Sequence, residues 1–530
     1  MIGALSILLI SILAYHLVAR RKLTPLAPPS FSVPSLPAFL SGLVAIARLG
    51  ANEDEFLKAL RAEYGAVVYL PWPLRQYLIL EAEAIECVYK APSRVLSFFP
   101  IRVEMQSSVF DAGFETEKSL MEEFYKTHSR GLQKIQLAET MDRFVKVVEA
   151  EIGKLATRLD ASEDGQIECN LDEWVTDIFF EASLSGLFGP LVRQSSGISK
   201  TEFRTAFDAF DGAFPLLASG LVPKPFANIV FGKGKKAQKV LADSLEAWIE
   251  EDFPGLPTGV VRDMAQVALD NGLGKREAGK LLVSDAWALQ ANAPYVASQL
   301  LLYLIQAPQS ILDDVVAECD RSISLARNSS SSPQSIDHLS QNFPLLQSCL
   351  TETLRIGTSV FSIRDVEQPL HLRSRGGTEV VVPPMSRLIY ATRASHLDQT
   401  TWGDDVCKWD GRRFFDREGG GEKDEGGETV EKSKKSRQVW GFGGGISRCE
   451  GNVLATLELK SFVSTILTKF EVSLVGPTTT DSQDYEAVEF ARGEAGYRPK
   501  RRTGRVGLGV LQFDKDVMVA IRKRRLAGTE

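Results

Sequence analysis

A mainly α-helical body with small β-sheets, carried on one N-terminal membrane helix, is the fold class this 530-residue sequence predicts. Three observations predict it. Ile2–Ala19 is apolar almost throughout and ends in Arg20-Arg21-Lys22. Between about residues 50 and 357 apolar residues recur mostly at helical spacing, and the β-like runs are few and short. Near the C-terminus, Trp440-Gly441-Phe442-Gly443-Gly444-Gly445-Ile446-Ser447-Arg448-Cys449-Glu450-Gly451 sets a cysteine in a glycine-rich loop that runs at once into an apolar helical segment.

Taken in order, the first apolar run is long enough to span a bilayer core, since about eighteen helical residues cover roughly 27 Å. The cations on its C-terminal side predict that this side stays in the cytosol. A cleaved signal peptide fits less well, because the charges follow the apolar run instead of preceding it. Pro25, Pro28, Pro29, Pro34 and Pro37 then read as a stiff, non-helical spacer. Residues 1–22 are thus an expected anchor, 23–45 a proline-rich linker, and 46–530 one catalytic domain.

Within that domain Asn52-x-x-Glu55 is spaced like a capping box and opens a helix to about Ala62. Two β runs follow, Ala66–Leu70 and Gln76–Leu80, joined by Pro-Trp-Pro and leading to a helix over Ala82–Tyr89. Residues 118–155 and 170–187 read as amphipathic helices, 200–218 and 236–252 as weaker ones. Leu281–Ile305 is a long helix, Leu345–Gly357 another, and Glu379–Val382 a strand. Asn328 to Pro333 is a polar loop in which Asn328 would carry a glycan only in a lumenal protein. Residues 417–437 are nearly all Gly, Glu, Lys and Asp, too polar to bury much area, and read as a solvated insertion.

A net charge of -7 with both signs interspersed argues against a nucleic-acid surface. The 6 cysteines are scattered with no Cys-x-x-Cys, which suits a reducing compartment, and none of the 5 histidines stands at ligand spacing from another.

The chemistry concentrates in Phe442-x-x-Gly445-x-x-x-Cys449-x-Gly451. In a chain of this composition those four residues would fall at those spacings by accident in roughly two of a thousand cases. Glycines at 443, 444, 445 and 451 give room for close approach and positive φ, and a cysteine just before a helix N-terminus has its thiol pKa lowered. This skeleton resembles the signature of the cytochrome P-450 superfamily. The resemblance implies that Cys449 is the axial ligand of heme b iron, with Phe442, Gly445, Arg448 and Gly451 shaping the loop around it.

Upstream, Glu352-Thr353-Leu354-Arg355 sets a carboxylate and a guanidinium three apart on a helix face, where they can pair. Glu-x-x-Arg also occurs at Glu318/Arg321 and Glu489/Arg492, but only Glu352/Arg355 precedes Arg364, the Glu379–Val382 strand and Trp409-Asp410-Gly411-Arg412-Arg413-Phe414 in the right order. By resemblance, Arg413 completes a structural triad with Glu352 and Arg355. Two departures stand out. Ser447 replaces a common arginine and Glu450 a common proline, which leaves Arg364, Arg448 and Arg130, with its neighbours His128 and Lys134, as candidates for the haem propionates. The long helix carries Gln290-Ala291-Asn292-Ala293-Pro294, without the usual acid and threonine. That pattern is similar to the cholesterol 7α-hydroxylase, sterol 12α-hydroxylase and prostacyclin synthase branch, and Asn292 is the candidate for organising a proton-carrying water. The resemblance implies a membrane-bound monooxygenase acting on a lipophilic small molecule, with electrons from a separate NADPH-dependent cytochrome reductase. A haem-thiolate isomerase or dehydratase acting on a peroxide, and a non-catalytic haem-binding membrane protein, remain alternatives.

Overall fold

The computed structural model describes residues 28–34, 36–112, 118–132, 134–189, 199–219, 230–328, 332, 334–375, 379–415, 438–475, 485–491, 495–501, 505–515 and 517–525. The expected anchor Ile2–Ala19 and the expected insertion 417–437 lie outside them. No described helix is long and apolar enough to cross a membrane.

The first helix among the described residues is α1 (Ala38–Ala51), so the last third of the expected 23–45 linker is helical. No proline follows Pro37 until Pro71, which leaves that stretch free to wind. Asn52 then caps α2 (Glu53–Tyr64): its side chain accepts the Glu55 N–H at 3.2 Å and returns a bond to the Glu55 carboxylate at 3.1 Å. Strands β1 (Val67–Leu70) and β2 (Gln76–Ile79) form an antiparallel hairpin before α3 (Ala82–Lys90), β3 (Leu96–Ser97) and α4 (Phe99–Ser108).

The expected single helix over 118–155 is two, α5 (Lys118–Gly131) and α6 (Lys134–Ala161). Gly131, the last residue of the first, packs where a Cβ would fall 2.5 Å from a Val260 methyl. Strand β4 (Gln166–Asn170), α7 (Leu171–Phe188), α8 (Lys200–Ala218), α9 (Gly232–Glu250) and α10 (Val260–Asp270) complete this half. The expected helix over 281–305 is also divided, into α11 (Lys275–Gln290) and α12 (Ala293–Gln306). Pro294 has no N–H to donate and its ring would meet the carbonyl of Gln290, so the helix ends and restarts around Asn292.

Helices α13 (Gln309–Asn328), α14 (Ile336–Gln341) and α15 (Pro344–Gly357) lead to β5 (Thr358–Val366), the hairpin β6 (Leu370–Arg373) and β7 (Glu379–Val382), β8 (Ser386–Ala391), and short α16 (Thr392–His396) and α17 (Gln399–Trp402). After the cysteine loop come α18 (Asn452–Lys469) and strands β9 (Phe470–Leu474), β10 (Tyr485–Val488), β11 (Gly496–Pro499), β12 (Leu508–Val510) and β13 (Met518–Lys523). The main sheet runs β1-β2-β8-β5-β12, with β3 also on β5, and only β2 and β8 are parallel. A second sheet, β4-β13-β9, ties the chain end to α7. The principal apolar core lies among α5, α6, α7, α8, α9, α11, α12 and α18, with T-shaped aromatic pairs such as Phe144–Phe179 and Phe179–Phe462 crossing it.

Candidate active site

The cysteine loop takes its shape from the backbone. The Cys449 N–H donates to the Phe442 carbonyl at 2.9 Å, and the Gly443 N–H to the Trp440 carbonyl at 2.9 Å. The Trp440 N–H donates to Nε2 of His396 at 2.9 Å. That nitrogen is an acceptor because burial, aided by Arg355 and Arg393, pulls the His396 pKa down to about 3 and keeps the ring neutral. Gly443 and Gly445 have φ of 65° and 64°, as the sequence requires, whereas Gly444 and Gly451 do not enter that region. Space at Gly445 serves the protein itself: a Cβ there would fall 2.3 Å from the Tyr89 carbonyl oxygen of α3.

Glu352, Arg355 and Arg413 meet beneath this loop. Arg355 grips Glu352 with two parallel bonds of 2.8 Å, and both side chains are wholly buried. Arg413 adds a bond of 3.0 Å to the same carboxylate and a second tie to Asp405 at 3.1 Å. The spare N–H of Arg355 reaches the carbonyls of His396 and Val406 at 2.8 and 2.7 Å, joining α15 to α16 and the loop after α17. Replacement of a common Pro-Glu pair by Gly411-Arg412 does not disturb Arg413. Gly411 has no room for more, since its Cβ would lie 2.7 Å from Trp409.

A cavity of about 1320 Å³ opens above Cys449, larger than the roughly 300–1,000 Å³ typical of a single small-ligand site. Its walls are mostly apolar, among them Phe214, Trp287, Val296, Leu354 and Leu454. Trp287 stacks on Phe214 at 3.7 Å, fixed by its indole N–H on buried Asp211, which also receives Arg505 at 2.6 Å. Cys449 opens onto the cavity. The protein packed around the site pushes the thiol pKa up, against the pull of the Gly451 N–H on the sulfur, although the residue itself is exposed on the cavity side. A metal cation bound at the sulfur would hold the thiolate form.

Basic groups divide into engaged and free. Glu450 accepts from Arg102 of α4 at 3.2 Å and meets Nδ1 of His128 at 3.3 Å. Burial alone would raise its pKa, but His128 and Arg102 hold it below the usual range. Asp285 faces the same histidine at 3.7 Å and is pushed by burial to about 6. Arg364 is buried, lines the cavity, packs its guanidinium on Phe98 and Tyr390, and makes no ion pair among the described residues. Arg448 also lines the cavity without such a pair. Arg130 points to the surface instead, and within α5 it is His128 that reaches the cavity. Arg102 escaped the sequence reading because nothing local marks α4 as part of the site.

Asn292 lines the cavity at the break between α11 and α12. Its Oδ1 accepts the Val510 N–H at 2.9 Å, and Gly509 (φ 115°) leaves the space it fills. That bond uses one of the two lone pairs of Oδ1, so the other and the Nδ2–H donors remain for the cavity.

These residues fit a haem: one thiol with an amide aimed at its sulfur, a large apolar cavity, and buried Arg364 without a counter-ion to take a carboxylate. Comparison with known proteins agrees. A cytochrome P450 family profile matches residues 32–500. The sterol 14-alpha demethylase of Pyrenophora dematioidea is 25% identical over 461 residues, covering 84% of this chain and 82% of that protein. A 5-beta-cholestane-3-alpha,7-alpha-diol 12-alpha-hydroxylase of Sus scrofa is 25% identical, covering 81% and 84%. A prostacyclin synthase of Rattus norvegicus is 29% identical, but over about half of each chain, 48% and 46%. With fold, cysteine loop and profile in accord, the chain belongs to the cytochrome P450 family, oxidoreductases that hold haem iron through a cysteine thiolate.

Proposed function

We propose that this chain hydroxylates, or otherwise oxidises, a sterol, terpenoid or similar lipophilic secondary metabolite. It uses dioxygen and electrons from a separate NADPH-dependent cytochrome reductase, and residues 1–22 hold it at the endoplasmic reticulum membrane with the catalytic domain in the cytosol. The observation that carries this reading is the apolar cavity of about 1320 Å³ onto which the Cys449 thiol opens. Haem bound there supplies dioxygen activation. The chain's own residues do the rest: Cys449 ligates, Arg364 and Arg448 meet the propionates, and the stacked Phe214–Trp287 wall excludes water and orients an apolar substrate. Relatives named for sterol demethylation and hydroxylation support the substrate class.

Screening sterols and terpenoids for ligand-induced Soret shifts, then incubating binders with reductase, NADPH and labelled dioxygen, tests the reading. Label should appear in the product and depend on the reductase. A second reading, which the missing acid and threonine beside Asn292 favour, is a haem-thiolate isomerase acting on a peroxide. Turnover of a lipid peroxide without reductase, unaffected by removal of dioxygen, would select it. Bound haem with no turnover under either condition would select a non-catalytic role. For the membrane assignment, protease added to sealed microsomes should digest residues 23–530, and Asn328 should carry no glycan; a protected body reverses the topology.

A further inference from the structure

Glu450 places a carboxylate one position after Cys449. Consecutive Cα atoms stand about 3.8 Å apart, so that carboxylate lies within about 10 Å of the sulfur in any rotamer. Its charge disfavours any further negative charge at the ligand. Three side chains of α4 and α5 converge on it. Both terminal nitrogens of Arg102 donate to Oε1, at 3.3 and 3.2 Å, the Ser129 hydroxyl adds a bond of 3.4 Å, and Nδ1 of His128 stands 3.3 Å from Oε2.

Arg102 is held where it meets Glu450. Its guanidinium lies over the Tyr125 ring at 3.8 Å and the Phe98 ring at 5.3 Å. The Tyr125 hydroxyl in turn accepts the Gln106 side-chain N–H at 3.0 Å, and the same amide nitrogen reaches the Ser284 hydroxyl of α11 at 2.9 Å. Helices α4, α5 and α11 thus build a slot for one cation beside the ligand's neighbour. His128 is less committed, since its Nδ1 also faces Asp285 at 3.7 Å. The charges reach the sulfur with opposite sign: Glu450 opposes an anion there, while Arg448 and Arg102 favour it.

We propose that Arg102 is a positioning residue which, by neutralising Glu450, sets the reduction potential of haem ligated by Cys449. This rests on the ligation stated above and not on the choice of substrate. Reduction transfers one electron from the reductase to ferric haem and gives ferrous haem, with no bond made or broken and no proton moved, so the site gains one negative charge. An unpaired Glu450 disfavours that gain and the guanidinium offsets it. The readiness of the site to take an electron is therefore set from α4, a wall of the cavity, 348 positions before the ligand's neighbour.

The test measures midpoint potentials by spectroelectrochemistry on the full-length, haem-loaded, substrate-free protein and on Glu450→Gln, Arg102→Gln, Arg102→Lys and the double variant Arg102→Gln/Glu450→Gln. Glu450→Gln should raise the potential and Arg102→Gln lower it, each by about tenfold in the equilibrium constant of reduction, or about 59 mV for one electron. The double variant should lie closer to the parent than either single one. Arg102→Lys, which keeps the charge and loses the fork, should hold the parent's potential even where its unfolding midpoint falls. Single-variant shifts of the same sign, or potentials equal to the parent's beside lowered unfolding midpoints, would reduce the pair to a structural latch and overturn the proposal. Should Arg102→Gln not retain haem, Glu450→Gln and Arg102→Lys still decide. The long-wavelength band of the reduced, carbon-monoxide-bound parent separates the two failures: its absence would remove Cys449 as ligand, and its presence with unmoved potentials would strike the role of Arg102 alone.

Discussion

Cys449 sits in a loop whose path is set by backbone bonds, so replacing its side chain tests ligation and little else. Cys449→Ser should keep the far-ultraviolet circular dichroism of the parent and lose the long-wavelength absorption of the reduced, carbon-monoxide-bound protein. Retention of that band would move the ligand elsewhere. Glu352 is a harsher case: it accepts from Arg355, Arg413 and the Asp410 N–H in a dry environment. Glu352→Gln leaves the wholly buried Arg355 without its counter-charge and Arg413 with Asp405 alone, and breaking a buried pair costs about 3–5 kcal/mol. The expected outcome is a chain that expresses poorly and binds little haem, measured as the ratio of Soret to protein absorbance. Both residues were readable because spacing along one loop or one helix turn is enough to identify them. Arg102 was not, since what marks it is its partner Glu450, 348 positions further along the chain.

Among the elements, the divided helix α11–α12 has most to say about chemistry. Pro294 explains the interruption and was visible in the sequence; the division into two helices, and the use of Asn292 Oδ1 as an anchor for β12, were not. Helical periodicity continues across Asn292, while the bond to Val510 joins positions 218 apart. Asn292→Leu should therefore do two things at once. The Val510 N–H loses its acceptor, a cost of about 1–3 kcal/mol seen as a lower unfolding midpoint, and the cavity loses its amide donors, seen as a greater peroxide share at near-normal haem content. Parent-like stability with parent-like coupling would make Asn292 a packing residue only. The same limit applies at the end of α5: Gly131 is ordinary in sequence, and the need for a glycine there lies in Val260 across the interface.

At the scale of the whole molecule, the pH dependence of stability carries the imprint of Glu458. Its carboxyl has an ordinary value of 4.5 and is raised to about 8 in the folded chain by burial. The native state thus holds a proton that the unfolded state releases. That contribution is complete below pH 4.5 and lost as pH rises through 8, at no more than about 1.4 kcal/mol per pH unit. Between those limits the parent's unfolding midpoint should fall relative to Glu458→Gln, and parallel curves would mean that the carboxyl is not buried in the protonated form. The fold also has a temporal consequence. Asp54, at the start of α2, is held by buried Arg393 and by Arg501 at 2.8 Å, a partner 447 residues further on. Likewise the hairpin β1–β2 completes its sheet only through β8. At about 5–20 residues per second of synthesis, the first-made part of this protein waits roughly a quarter of a minute to a minute with its sheet edge open, and roughly a third of a minute to a minute and a half with Asp54 lacking Arg501. A ribosome-bound chain stopped before residue 390 should accordingly remain protease-sensitive throughout, and the cell's holding chaperones, rather than the sequence, must guard it until the last turn of the chain arrives.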